Sequence, residues 1–482
     1  MPRSSSEVYG IEASAAAVHR VVRVTNLDGA THSHAFDEKS ACKYCRNRRP
    51  FEMPERIVDA CLKYDLVVFA GAGASTESDY VLPWTIYREA AADVGASPDA
   101  SFASVMSAYQ EKHGRRELLQ LIKGRFDYIN AFEALRYDAT RFHRQLATLF
   151  YVDTIVTTNW DTYFEEDCGA TPIVTPKDYA FWGLSGRKVF KIHGSMYNVG
   201  SIVATEEDYE AAYQSLREGV IGSTLKHILA TKTIVFVGYS FNDDDFARIY
   251  ALIREQLGEM LIRPVIVTLD ENFDAARFPD STVLTTDAAY FIEELKRQLL
   301  DKTQCLLPAD SQFEGVAELL DMLVEEHLEI VDAIPVKKYP MLLYTTSYQD
   351  GLQDALGRML TMRTSSAYSH TCEVKRLLRT YERMQKDAVR RRRYWDSAYI
   401  EGYMNGLIFL LSPDSDRWHI PFLYMPGAPG DAPIGTRRQQ KALFASGETL
   451  HKTAFNVARK MVDEHPDGIV LQHTPLLLGV SG

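Results

Sequence analysis

Three side chains able to act on a sugar stand at the carboxyl ends of apolar runs. In "TTNWDTYFE", residues 157–165, Asn159 and Asp161 bring an amide and a carboxylate to one tip. In "KVFKIHGSMYN", His193 leaves an apolar stretch directly before Gly194. Imidazole titrates near neutral pH, which suits it to taking a proton from a sugar hydroxyl. A histidine inside a core is ordinarily a satisfied polar group; one released from a strand tip beside a glycine is better placed to meet a ligand. Asp161 reads two ways, as a ligand group or as a cap on free N–H groups of a helix starting near Thr162. Asn159, ahead of the bulky Trp160, reads as functional.

A candidate phosphate seat lies upstream. In "DLVVFAGAGASTESDYVLPW", residues 65–84, the apolar run 66–70 enters a turn built from Gly71, Ala72, Gly73, Ala74 and Ser75. Such a turn exposes backbone N–H donors, and at a helix N-terminus these seat a pyrophosphate. As a dinucleotide fingerprint it is incomplete: Thr76 stands where a third glycine belongs, and no acidic residue follows at the expected distance. A tight strand-to-helix turn without ligand would use the same residues. In "VFVGYSFNDDDF", Gly238 and Ser240 form another strand-end turn, with Asn242 or Asp243 capping the next helix.

The elements that must position these groups follow from periodicity. Short β-rich runs at 66–70, 153–158, 188–192, 233–239, 264–269 and 282–286 alternate with helical spacing, as in "RELLQLIKGRF" and "DDDFARIYALIREQL". Buried strands alternating with helices predict an α/β domain with a Rossmann-like parallel sheet covered on both faces, whose ligands bind at the strands' carboxyl ends. The expected organisation is an N-terminal extension over 1–50, the α/β domain over 51–300, and a mainly helical domain over 301–482, interrupted by a Pro- and Gly-rich loop at 412–435. Ordinary globular composition, 46% hydrophobic and 24% charged in 482 residues, supports large cores. A net charge of −12 argues against a chain that coats nucleic acid by bulk attraction. With no signal peptide, no bilayer-length apolar run and only six cysteines, a cytoplasmic, reducing location is expected.

In this order the four pieces resemble the sirtuin family, whose pattern runs Gly-Ala-Gly-x-Ser, Thr-x-Asn-x-Asp, His-Gly, Gly-x-Ser. The resemblance covers roughly residues 55–300 and implies an NAD-binding domain that breaks the nicotinamide–ribose bond. By that resemblance Gly71, Ala72, Gly73 and Ser75 hold the pyrophosphate and its ribose. Asn159 and Asp161 line the nicotinamide-ribose pocket, and His193 is the base. Gly238, Ser240 and Asp270 face the adenosine, with Asp287 a weaker candidate near the adenine. Protein-deacylating sirtuins carry a zinc ribbon of two Cys-x-x-Cys pairs after the His-Gly strand; here no cysteine lies between Cys168 and Cys305. "TESDYVLPW" also replaces the usual Ser-Ala-Gly-Ile-Pro-Asp-Phe. The chain looks closer to the zinc-less sirtuin-like domains of bacterial anti-phage systems, which hydrolyse NAD. That resemblance implies abortive-infection defence, a homo-oligomer, and a gating partner such as a hexameric DNA-translocating ATPase or a short Argonaute. Rival readings are an NAD or ADP-ribose sensor without turnover, an NAD-dependent protein deacylase, and a nucleic-acid enzyme.

Two further signals carry less. Cys42 and Cys45, with His32 and His34 upstream, have the elements of a zinc knuckle but read as reduced thiols in a polar arm. Arg390–Arg393 reads as a solvated or salt-bridged helix face, and nucleic acid as an indirect partner only. The aromatic stretch "YWDSAYIEGYMNGLIFLL" reads as a core or subunit contact.

Overall fold

A computed structural model describes the chain from Tyr44 to Pro475, except 79, 185, 240–249, 252–253, 256, 259–260, 272, 274–280, 304–309, 365–367, 369, 413–419, 425, 427–437, 439–441, 443–448, 466–468, 470, 472 and 474. The chain divides into two compact units, the first ending at Gln304 and the second continuing from Cys305.

The first unit opens with α1 (Glu55–Leu62) and β1 (Leu66–Ala70). Helices α2 (Ile86–Val94), α3 (Phe102–His113), α4 (Arg115–Ala131), α5 (Glu133–Ala139) and α6 (Arg141–Ala147) precede β2 (Thr154–Thr157). Then come α7 (Tyr163–Cys168), β3 (Thr171–Ile173), β4 (Lys188–Lys191), α8 (Glu206–Glu218) and α9 (Val220–Thr231). The unit closes with β5 (Thr233–Val237), β6 (Val265–Thr268), β7 (Thr282–Thr285) and α10 (Ala288–Thr303).

The strands form a seven-stranded sheet in the order β3-β4-β2-β1-β5-β6-β7, with every neighbouring pair parallel. Burial follows composition: all five residues of β1 and of β5 are buried, as strands covered on both faces must be. From β1 the chain builds outward first through β2 and β4, and later through β5, β6 and β7. The direction of winding therefore reverses at β1 and β5, and at such a reversal a crevice opens beyond the strands' carboxyl ends. The expected α/β class is what the chain adopts.

The glycine turn makes a single tight turn, Ala72–Ala74, and α2 follows at Ile86–Val94. The cause is packing. Gly73 N donates to Gly238 O at 2.9 Å, and a Cβ on Gly71 would lie 2.5 Å from that same oxygen. Gly238, at φ +58°, would bring its own Cβ to 2.2 Å from Ala74 N. The β1 and β5 turns are stacked directly, which requires glycine at all three positions.

The second unit is helical: α11 (Asp310–Ala333), α12 (Leu342–Thr361), α13 (Thr371–Arg390), α14 (Tyr394–Leu411) and α15 (Thr449–Asp463). Its core joins Tyr344, Tyr348, Leu352, Tyr381, Tyr399 and Tyr403 with aliphatic residues from these helices. Helices α12 and α14 cross closely, since a Cβ on Gly351 would lie 1.9 Å from Tyr399 O, and one on Gly402 1.9 Å from Tyr348 O. The aromatic stretch of α14 is thus core, as its sequence implies. No helix among the described residues is long and apolar enough to cross a membrane.

Candidate active site

A cleft of about 1500 Å³ lies over the carboxyl ends of β1, β2, β4, β5, β6 and β7. Gly71, Ala72, Gly73, Asn159, Asp161, His193, Gly238, Asp270 and Asp287 all line it. Ser240, Asn242, Asp243 and Cys42 lie outside the described residues.

The tip of β2 is fixed from below. Thr157 Oγ1 donates to Ala70 O at 2.8 Å and accepts from Asn159 N at 3.0 Å, so the strand exit is tied to β1. Asn159 Nδ2 then reaches Gly71 O and Ser75 Oγ, each at 3.2 Å. Its Oδ1 is buried with no partner among the described residues. An amide with its donor side fastened and its acceptor side unmet is preset to accept a hydrogen bond from a hydroxyl or a water.

Asp161 is 2% exposed and lines the cleft while also satisfying an N–H at the start of α7. Its Oδ1 accepts from Tyr163 N at 3.3 Å at the start of α7, while its Oδ2 accepts from Ser75 Oγ at 2.8 Å. Ser75 is wholly buried beneath the turn, and its hydroxyl links Asn159 to Asp161.

His193 sits at the tip of β4, the strand beside β2, and is 3% exposed. Its ring meets Tyr209 of α8 edge-on, with centroids 5.0 Å apart. Gly194, at φ +88° and with no room for a Cβ against Ser201 O (2.1 Å), turns the chain sharply after the imidazole. The two tips are also tied together. Lys191, two residues before His193, is buried; its ammonium donates to the backbone carbonyl of Asp161 and pairs with Glu165 Oε1 at 3.1 Å. Burial pushes the Glu165 carboxyl up, against the pull of Lys191.

Three further residues of the cleft carried no signal in the sequence. Arg125 of α4 is 7% exposed, with Nε on Glu77 Oε1 and Nη2 on Thr76 O, both at 3.0 Å. Glu77 in turn accepts from Ile86 N at 3.0 Å, which anchors the segment after the glycine turn. Burial raises the Glu77 carboxyl while Arg125 draws it down, the net direction being up. At the β7 end, Arg141 Nη1 pairs with Asp287 Oδ2 at 2.8 Å, and Tyr80 donates to the same oxygen at 3.0 Å. Burial alone would raise the Asp287 carboxyl, but Arg141 overrules it and holds it below the usual range. Asp287 also caps α10 by accepting from Tyr290 N at 2.9 Å. Arg125 lies in the amphipathic α4, where a charged residue reads as solvent-facing, and Arg141 opens α6, whose seven residues are all buried although Arg141, Arg144 and Gln145 read as surface. Among the described residues no group of three or more His, Cys, Asp or Glu stands together to hold a metal ion.

Comparison with known proteins gives this site its context. Residues 153–294 match the model of the SIR2-like domain. It is similar to NAD(+) hydrolase ThsA of Cytobacillus dafuensis, 32% identical over 200 residues, covering 40% of this chain and 38% of that one. It is similar to NAD(+) hydrolase ThsA of Enterococcus faecium, 31% identical over 216 residues, covering 42% and 43%. Defense-associated sirtuin 2 of Bacillus subtilis is 22% identical over 271 residues, covering 53% of this chain and 26% of its own. The chain thus spans less than half the length of these curated relatives.

Proposed function

We propose that the SIR2-like domain of this chain hydrolyses NAD to nicotinamide and ADP-ribose, and that it does so in anti-phage defence. One observation carries the reading: Asn159 and His193, from the adjacent strands β2 and β4, line the same cleft as the stacked glycine turns of β1 and β5. The names of the similar proteins, NAD(+) hydrolase and defense-associated sirtuin, point the same way.

The chemistry asks little beyond this geometry. Breaking the bond between ribose C1′ and nicotinamide develops an oxocarbenium-like centre, as in glycoside hydrolysis. Nicotinamide leaves neutral from a cationic pyridinium and needs no general acid. What remains is to hold the ribose, admit a water to its open face and accept a proton. The Asn159 acceptor orients the ribose hydroxyl or the water, and His193 takes the proton. The turn at Gly71–Gly73 lies against the pyrophosphate, the Gly71 and Gly73 N–H groups being held by Val237 O and Gly238 O. Ser75 and Asp161 brace Asn159, and Gly238 and Asp270 face the adenosine, with Asp287 nearer the adenine.

A free-running NADase would kill its host, so turnover is gated by an oligomeric assembly or by a partner such as a hexameric DNA-translocating ATPase or a short Argonaute. The test is incubation with NAD, alone and with the product of the neighbouring gene, followed by chromatography for nicotinamide and ADP-ribose. Wild type releases both without any acylated peptide. His193→Ala and Asn159→Ala each lower the rate by about 10²–10⁴. NAD binding with no release under either condition would make the domain a sensor, and release only with an acylated peptide would make it a deacylase.

A further inference from the structure

The second unit bears a feature that NAD chemistry does not use. Helix α13 buries Val374, Leu377, Tyr381 and Ala388 in the helical core. Its opposite side carries Lys375, Arg376, Arg379, Arg383, Lys386 and Arg390, all exposed. At about 100° per residue these six fall within an arc of about 100°, centred opposite the buried stripe. No acidic residue falls inside that arc. Glu373 and Asp387, on one flank, pair with Arg376 at 2.6 Å and Arg390 at 2.5 Å. Lys375, Arg379, Arg383 and Lys386, along the middle, have no ion pair among the described residues. The Arg390–Arg393 run behaves as its sequence implied, with Arg391 on Asp387 at 2.8 Å and Arg393 on Asp396. The unpaired charge lies upstream of it.

We propose that this face of α13 docks on the phosphate backbone of duplex DNA. A helix rises about 1.5 Å per residue, so the stripe sets cations on average about 4.5 Å apart along about 22 Å of a rigid rod. Six cations of one sign, in a chain whose net charge is −12, concentrate positive potential on one side. Four of the six are arginines, whose planar fork matches phosphate oxygens. The arc holds no aromatic residue, whereas single-strand binding relies on stacked bases; that favours a duplex. Contact with backbone alone would be independent of sequence.

Fluorescence anisotropy with a short labelled duplex, titrated with the full chain over a range of salt, tests this. Six phosphate contacts give a slope of log K against log salt of about −5. Replacing the four unpaired residues together (K375Q, R379Q, R383Q, K386Q) should make that slope shallower by about 4 and weaken binding at least about tenfold at moderate salt. A charge-matched control on the first unit (R116Q, K123Q, R217Q, K302Q) should leave both values near wild type. If the fourfold variant does not melt like its parent, the pair R379Q and R383Q carries the test, with about half the change in slope. The proposal fails if the duplex does not bind, if the control loses as much as the stripe variant, or if a single strand of the same sequence binds more tightly. It also fails if the stripe variant alters self-association in sedimentation but leaves DNA binding intact.

Discussion

Lys191 is the residue on which the β2 and β4 tips depend while itself touching neither the cleft nor solvent. Its ammonium holds the backbone of Asp161, and its only carboxylate partner among the described residues, Glu165, is almost equally buried. Lys191→Met would leave Glu165 buried and unpaired, a change that costs about 3–5 kcal/mol. Thermal denaturation should show the loss, and any folded fraction should turn over NAD slowly with a reduced kcat. The double change Lys191→Met with Glu165→Leu, which removes both charges, should recover most of the stability but not the kcat, since the Asp161 carbonyl stays unheld. Nothing in "KVFKI" marks this lysine: in an alternating strand it reads as solvent-facing. Asn159, Asp161 and His193 were legible because polar residues at the exits of apolar runs break the pattern. Arg125, Tyr80 and Arg141 were not, because a charge in a helical sequence, or a tyrosine in a loop, breaks none.

The elements show the same contrast. Runs such as "LVVFA" and "TIVFV" identify buried strands from composition alone. Strand β3 escaped notice because it is three residues long, contains Pro172 and buries only Ile173; an edge strand tolerates a proline that a central one would not. The tight turn after β1 is set by its contact with the turn after β5, residues far apart in sequence. Arg187 shows how such long-range ties work: buried before β4, it donates to the carbonyls of Leu146, Ala147, Leu149, Val152 and Cys168. It thereby ties the ends of α6 and α7 and the approach to β2 to β4. Arg187→Met should cost several times the ~1 kcal/mol of an average hydrogen bond, because each orphaned carbonyl stays buried; chemical denaturation would measure it. In the helical unit, Gly402→Val should force α12 and α14 apart, lowering that unit's melting temperature with little change in NAD turnover.

Across the whole molecule, charge placement separates behaviours that a net value of −12 conceals. Glu293 of α10, paired with Arg48 at 2.8 Å, is pushed up to about 7, chiefly by burial. An acid whose folded value lies above its ordinary value of 4.5 binds its proton more tightly folded than unfolded. Its contribution to stability is therefore present below about pH 4.5 and lost as pH rises through about 7, at most ~3 kcal/mol over that window. Melting measured between pH 5 and 8 should decline with a slope that Glu293→Gln flattens. The Lys191–Glu165 pair has a different consequence. Sealed from water beneath the strand tips, it is insulated from the counterions that screen exposed charges. A potassium chloride titration that strips the outer face of α13 from any polyanion should therefore leave single-turnover chemistry nearly constant, so ionic strength becomes a dial separating anchoring from cleavage.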